Sequence, residues 1–312
     1  MTNSIPNGVW PTMITPFTDS NKPDFRAIAA MCDWYIERGC DGIFAVCQSS
    51  EMHYLSDREK EDIGRCVVES CAGRIPVVAS GHTSPNMDEQ KRGIETMMKT
   101  GAEAYVLVSN TLDPQRLGEA VLEENIQTIF HAFPEVSFGI YECPHPYKRL
   151  LSTEFIKRHA PLGQLVFVKD TCCDKDRIRE RLEASKGTPL KLFNANAATL
   201  YDSLVNGAAG YSGVMANYHP ELYSWMIAHL ESDKEKAKLL ADVLAVAAMI
   251  EMRAYPVSAK YHMNLIGLPM ELITRSADAR KLDMNARMET ESLLALEQKL
   301  NEMLGLSFSS AV

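Results

Sequence analysis

The sequence predicts a (β/α)₈ TIM barrel with a C-terminal helical extension, on three observations. Short runs of β-branched and aromatic residues recur roughly every 20–35 residues, the spacing of βα units. Each run is followed by a stretch with helical apolar spacing. Eight such runs occur before strand-like sequence stops near residue 217. The same alternation is compatible with an open doubly wound sheet, but a count of eight favours closure. The chain of 312 residues has room for one large domain. Residues 1–217 read as the barrel and 218–312 as the extension, with no low-complexity linker to divide one compact unit.

In chain order the strands fall at GVWPTMI (8–14), GIFAV (42–46), PVVAS (76–80), AYVLV (104–108), VSFGIY (136–141), QLVFVK (164–169), LKLFNA (190–195) and AAGYSGV (208–214). The first helix follows from Phe25, Ile28, Ala29, Cys32, Tyr35 and Ile36 at i, i+3, i+4, i+7 spacing, with Asp24 as its cap and Gly39 beyond its end. Ser56 and Glu59 form a capping box for the second. Asn86 and Glu89 suggest the same for the third, which Gly101 closes. Beyond residue 217, HPELYSWMIAHL, KAKLLADVLAVAAMIEMRAY and a segment ending ESLLALEQKLNEMLGL are helical in period.

Bulk composition narrows the function. A net charge of −9 argues against nucleic acid or an anionic membrane surface as partner, since both attract basic patches. No apolar run approaches the roughly 20 residues that span a bilayer. The opening MTNSIPNGVW lacks the basic-then-apolar pattern of a secretory signal. The eight cysteines show no C-x-x-C pair and no metal-type spacing with histidine, which fits free thiols in a reducing cytoplasm. There is no H-x-x-x-H, Walker loop or G-x-G-x-x-G, so neither a metal nor a nucleotide cofactor is expected.

The stretch QLVFVKDT (164–171) drives an apolar strand straight into Lys169. A lone lysine after a strand is usually solvated. In a barrel, however, active-site groups stand at the C-terminal strand ends. There CQSSE (47–51), YECP (141–144), KDT (169–171) and Ser212 converge, with Lys169 beside Tyr141 on neighbouring strands. An apolar mouth disfavours the charged amine, and a neutral amine attacks a ketone to form a Schiff base. Tyr141 is placed to relay protons, and the hydroxyls and backbone N–H groups of the strand-two loop to hold a carboxylate. No role follows for Glu51 or Asp170, for which solvation or ion pairing is the default.

These motifs, in this order, resemble the pyruvate-dependent class I aldolase superfamily that contains dihydrodipicolinate synthase and N-acetylneuraminate lyase. GVWPTMITPF (8–17) is similar to its opening strand, GIFAVCQSSE (42–51) to its G-T-T-G-E loop, YECP to Y-N-x-P, and FVKDT (167–171) to the Schiff-base lysine motif. NGAAGYSG (206–213) and YPVSAKYHMNLIGLP (255–269) resemble its eighth strand and C-terminal segment. The resemblance implies a barrel commonly assembled as a tetramer. It implies that Lys169 forms the imine with pyruvate or another 2-oxo acid, that Tyr141 relays protons, that Ser49 binds the carboxylate and that the backbone at Ser212 lines the pyruvate site.

The departures bear on substrate. Pro146 stands where dihydrodipicolinate synthase carries an arginine, with Lys148 and Arg149 as nearby substitutes, and Thr111 stands where it carries an interface tyrosine. Ala197, Ala198 and Val214 replace sugar-binding groups of sialic acid lyase. Both activities are therefore disfavoured. Cys47, Gln48 and Ser50 alter the strand-two loop, and Gln48 orients a ligand rather than relaying through a hydroxyl. The expected function is a Schiff-base lyase or aldolase with pyruvate as nucleophile or product. Its substrate-binding groups are Gln48, Ser49, Ser50 and Ser212, in a cytoplasmic homo-oligomer (tetramer or dimer). The alternatives are a 2-keto-3-deoxy sugar acid dehydratase using the same lysine and a non-catalytic 2-oxo-acid sensor.

Overall fold

The computed structural model describes residues 5–308. Eight parallel strands occupy Gly8–Val9 (β1), Ile43–Ala45 (β2), Val77–Ala79 (β3), Ala104–Val108 (β4), Phe138–Tyr141 (β5), Leu165–Asp170 (β6), Lys191–Asn194 (β7) and Gly210–Tyr211 (β8). Their hydrogen-bonded order runs β1-β8-β7-β6-β5-β4-β3-β2. The seam between β1 and β2 is closed by a parallel bridge, Thr12 to Phe44. There Met13 N donates to Phe44 O at 3.1 Å and Phe44 N to Pro11 O at 3.0 Å. The sheet is a barrel.

The first and last strands are shorter than their sequence runs. Pro11 has no N–H to give the ladder, so β1 stops at Val9 and resumes only as the bridge at Thr12. β8 contains Gly210, where an added Cβ would lie 1.8 Å from Gly8 O. Only glycine lets the two strands approach that closely.

The helices are Phe25–Glu37 (α1), Asp57–Cys71 (α2), Met87–Met98 (α3), Glu119–Ala132 (α4), Thr153–His159 (α5), Lys175–Ser185 (α6), Ala197–Val205 (α7), Pro220–Ala228 (α8), Lys234–Ala247 (α9), Val257–Leu265 (α10) and Met284–Leu304 (α11). Asp24 caps α1, and the Ser56–Glu59 box opens α2 as its spacing suggests. At α3, Asn86 accepts from two backbone N–H groups, while Glu89 accepts instead from the Ser84 hydroxyl. The sequence reading misses α10 because that helix is buried on nearly every side, with Ser258, Lys260 and His262 inside. No apolar stripe reveals it.

The barrel interior is packed, not open. Trp10, Phe167 and Phe193 pack together, with Phe167–Phe193 stacked at 4.7 Å and Trp10 5.5 Å from each. Phe44 reaches from this layer to Tyr141, edge-on at 5.9 Å. This aromatic plug is the low-dielectric floor beneath the strand ends. Among the described residues no helix is long and apolar enough to cross a membrane. All eight cysteines are free thiols. Cys32, Cys40, Cys47, Cys71 and Cys143 are buried, Cys66 and Cys172 half-buried, and Cys173 exposed.

Candidate active site

At the C-terminal strand ends lies a cavity of about 560 Å³. β5 and β6 pair in register with Tyr141 opposite Lys169, so both side chains leave the ladder on the same face. Lys169 is only 4% exposed. Its Nζ sits 4.3 Å from the Tyr141 ring centroid and 6.0 Å from that of Phe44. It has no hydrogen-bonding or ion-pair partner among the described residues. Burial lowers the Lys169 pKa, opposed more weakly by the Cys47 and Cys143 thiols and by Glu251. Burial pushes the Tyr141 phenol well above its ordinary value, so it stays protonated as a donor.

The strand-two loop is aimed by backbone strain. Val46 and Glu51 have positive φ, 50° and 63°, a region that non-glycine residues seldom enter and a β-branched one such as Val46 least of all. Between them the chain turns inward. Tyr141 OH and Cys143 Sγ each donate to Gln48 Oε1 at 3.1 Å. Ser49 Oγ donates to Thr12 Oγ1 at 3.2 Å and also neighbours the Tyr255 phenol. The backbone N–H groups of Gln48 and Ser49 have no partner among the described residues, which makes this turn a seat for an anion.

The other two expected binding groups lie elsewhere. Ser50 Oγ donates to Met13 O at 2.6 Å and accepts from Cys47 N at 3.0 Å, which braces the loop from behind. Ser212 is fully buried, and it is its neighbours Gly213 and Val214 that line the cavity. Of the two candidate cations near Pro146, Lys148 lines the cavity and donates to Thr171 O at 2.7 Å. Arg149 is held away by Asp113 at 3.3 Å. Thr111 is buried and spends its hydroxyl on His82 O.

The two acids without a sequence role are structural ties. Asp170 pairs with the buried Arg181, which also holds Glu142 at 2.8 Å. Glu142 accepts from Leu151 N at 2.7 Å and Thr171 N at 3.0 Å, locking the ends of β5 and β6. Glu51, 2% exposed, accepts from Lys260 Nζ at 3.2 Å, Thr274 Oγ1 at 2.7 Å, and the backbone N–H groups of Arg275 and Ser276 at 2.6 Å each. It pins the 274–276 segment across the mouth, where Ser276 and Ala277 join the cavity wall.

The sequence reading missed the remaining wall. His53 and His145 meet edge-on at 5.3 Å, and burial lowers the His53 pKa. Glu251 and Tyr255 arrive from the C-terminal extension. Burial raises the Glu251 carboxyl, and Lys169 opposes the shift without cancelling it. Tyr255 sits inside a motif visible in the sequence, but nothing local to Glu251 signals that it faces the lysine. Among the described residues no group of three or more His, Cys, Asp or Glu side chains is placed to hold a metal ion.

Comparison with known proteins gives a consistent answer. The model of the dihydrodipicolinate synthetase family matches residues 5–295. The 4-hydroxy-tetrahydrodipicolinate synthase of Ruegeria pomeroyi is 29% identical over 294 residues, covering 92% of this chain and 99% of its own. That of Anaplasma marginale (strain St. Maries) is 25% identical over 310 residues, covering 96% and 99%. Among solved structures, YagE of E. coli K12, a prophage protein of the dihydrodipicolinic acid synthase family in complex with pyruvate, superposes with a TM-score of 0.81. It is 20% identical and covers 96% of this chain and 99% of its own. A monomeric dihydrodipicolinate synthase variant superposes with a TM-score of 0.85 at 18% identity, covering 95% and 98%. The likeness to these structures is one of fold.

Proposed function

The chain belongs to the dihydrodipicolinate synthetase family, and on that footing we propose that it is a Schiff-base-forming lyase or aldolase acting on a 2-oxo acid, with pyruvate as nucleophile or product. One observation carries the reading: a buried, unpaired Lys169 amine 4.3 Å above the Tyr141 ring. The neutral amine attacks the keto carbon, forming the C–N bond while the carbonyl electrons move to oxygen. Tyr141 protonates that oxygen, recovers a proton from the nitrogen and passes it to the new hydroxyl, which leaves as water as the nitrogen lone pair forms the iminium, with one N–H retained. The iminium then accepts the electron pair of the adjacent C–H or C–C bond, giving the enamine common to aldol addition and cleavage. The free N–H groups of Gln48 and Ser49, with the Ser49 hydroxyl, hold the carboxylate. Gln48 meets Tyr141 with its amide oxygen and its N–H is far too weak an acid to relay a proton, so Tyr141 trades its proton with substrate or water instead of passing it through residue 48.

The second substrate, or the aldehyde released, differs from that of dihydrodipicolinate synthase and sialic acid lyase in this reading. Pro146, Thr111, Ala197 and Ala198 lack the recognition groups, and Lys148 is the cation at the cavity. Dehydration of a 2-keto-3-deoxy sugar acid is the second reading, favoured by Glu251. A carboxyl whose pKa is raised, on the same cavity wall, is suited to protonate a departing hydroxyl. In this proposal the protein works in the cytoplasm as a homo-oligomer, and light scattering tests the oligomeric state.

Incubation with pyruvate and borohydride, followed by peptide mass mapping, is the decisive experiment. A reduced pyruvyl adduct on Lys169 is the expected result, and an unmodified lysine overturns both enzymatic readings. A panel of 2-keto-3-deoxy acids, scored for pyruvate release against water loss, then separates lyase from dehydratase.

A further inference from the structure

Gln48 stands half-buried in the cavity wall, and its amide is engaged at one end only. Tyr141 OH and Cys143 Sγ both donate to Gln48 Oε1, each at 3.1 Å, while Gln48 Nε2 meets no group among the described residues. The Cys143 proton also faces His145 O at 3.3 Å, so a single S–H joins the loops that follow β2 and β5. Cys143 itself is fully buried and does not line the cavity.

The two donors decide which way the amide faces. Burial pushes the Cys143 thiol up, as it does the Tyr141 phenol, so both keep their protons. An amide oxygen accepts from both at once. The reversed amide would set an N–H against sulfur, which is a weak acceptor. That choice matters during turnover. Imine formation leaves Tyr141 as a phenolate, which attracts N–H groups. An amide held by the phenol alone would then swing its NH2 edge toward Tyr141 and away from the substrate. The thiol takes no part in the proton transfer and keeps its hold on Oε1.

On the Schiff-base reading above, we infer that Cys143 is a positioning residue, which holds the Gln48 amide so that Nε2 donates to the oxygen on carbon 4 of a 4-hydroxy-2-oxo acid. In the cleavage step the Tyr141 phenolate takes the proton of that hydroxyl. The carbon 3–carbon 4 bond breaks, its electron pair moves to the iminium to give the enamine, and the oxygen becomes the carbonyl of the released aldehyde. Negative charge builds on that oxygen as its proton leaves, beside the phenol that the amide already touches. A fixed N–H donor stabilises such charge without reorganising, and it leaves the proton to Tyr141.

Two measurements on the full-length protein test the inference. The first uses no substrate. The infrared S–H stretch of Cys143, recognised as the band missing from Cys143→Ser, moves to higher wavenumber in Gln48→Met as its acceptor is lost. An unmoved band gives the thiol wholly to His145 O and overturns the inference. The second compares borohydride trapping of pyruvate at Lys169 with cleavage of 4-hydroxy-2-oxobutanoate, which carries the recognised oxygen and nothing beyond it. Trapping continues in every variant. Cleavage falls by about 10²–10³-fold in Gln48→Met and by about tenfold in Cys143→Ala. The loss falls on kcat more than on KM, because the bond strengthens as charge develops. Cys143→Ser, which keeps a donor, recovers most of the rate. Cleavage at the wild-type rate in Cys143→Ala, equal losses of trapping and cleavage, or no recovery in Cys143→Ser overturns the inference. So does a wild type that traps pyruvate but does not cleave the probe. An absent pyruvate adduct in the wild type instead sinks the Schiff-base reading, which the S–H spectra do not touch.

Discussion

Two lysines are buried in this molecule to nearly the same degree, and they differ in what surrounds the nitrogen. Lys169 is 4% exposed and Lys260 0% exposed, and burial lowers the pKa of both, that of Lys260 to about 8. Lys260 Nζ meets Glu51 at 3.2 Å and the carbonyl of Ile273. Lys169 Nζ meets aromatic faces and no acceptor. Desolvation alone therefore does not make a nucleophile. A paired amine ties the 274–276 segment to the barrel, and an unpaired one is free to lose its proton and attack.

Removing each amine is the sharpest way to break the comparison. Lys169→Met abolishes the pyruvate adduct and lowers turnover by about 10⁴-fold or more, while the melting temperature holds or rises because a buried, unpaired amine has been replaced by an apolar chain. A melting temperature that collapses would make Lys169 a structural residue like its counterpart. Tyr141→Phe keeps the ring beneath the amine and removes the proton, so turnover falls by about 10²–10⁴-fold. Borohydride trapping with pyruvate still labels Lys169 in that variant. Full turnover in Tyr141→Phe would transfer the acid role to another wall residue.

Lys260→Met has the opposite signature. It leaves Glu51 buried with its ion-pair partner gone and destabilises the fold by about 3–5 kcal/mol in denaturant titration, yet the adduct at Lys169 still forms. Loss of trapping with stability unchanged would erase the distinction between the two sites. The smallest effect is one of pH. The rate of cyanoborohydride trapping at Lys169 rises with pH to a plateau whose midpoint lies below the ordinary 10.5. A midpoint at 10.5 would mean that the mouth does not desolvate the amine. By linkage, both depressed lysines make the fold more stable as pH climbs toward 10.5, because the unfolded chain still holds protons that the folded sites have released. For Lys260 that window opens near 8.

The sequence is legible wherever contacts follow the chain's own periodicity. The apolar, strand-forming runs VSFGIY and QLVFVK put Tyr141 and Lys169 at strand ends, and parallel pairing then sets them side by side. The capping residues Asp24, Ser56 and Asn86 speak through bonds two or three residues away. Legibility fails across long separations. Glu51 meets Thr274, 223 residues on, and Glu251 faces Lys169 only because the extension folds back over the mouth. Ser50 and Ser212 show the limit within a motif. They sit in the right segments, but the Ser50 side chain braces its own loop, and the Ser212 hydroxyl is buried without a partner among the described residues while its neighbours Gly213 and Val214 line the cavity.

The sequence by itself determined the barrel, its direction, and the amine and phenol at its mouth, since strand and helix periods and parallel register are local properties that neighbouring residues enforce. Only the tertiary structure decided which buried lysine is paired and which is bare, which hydroxyls face the cavity, and that the extension supplies part of its wall. Those outcomes depend on how residues far apart in the chain divide a limited set of donors and acceptors, and no local pattern encodes that division.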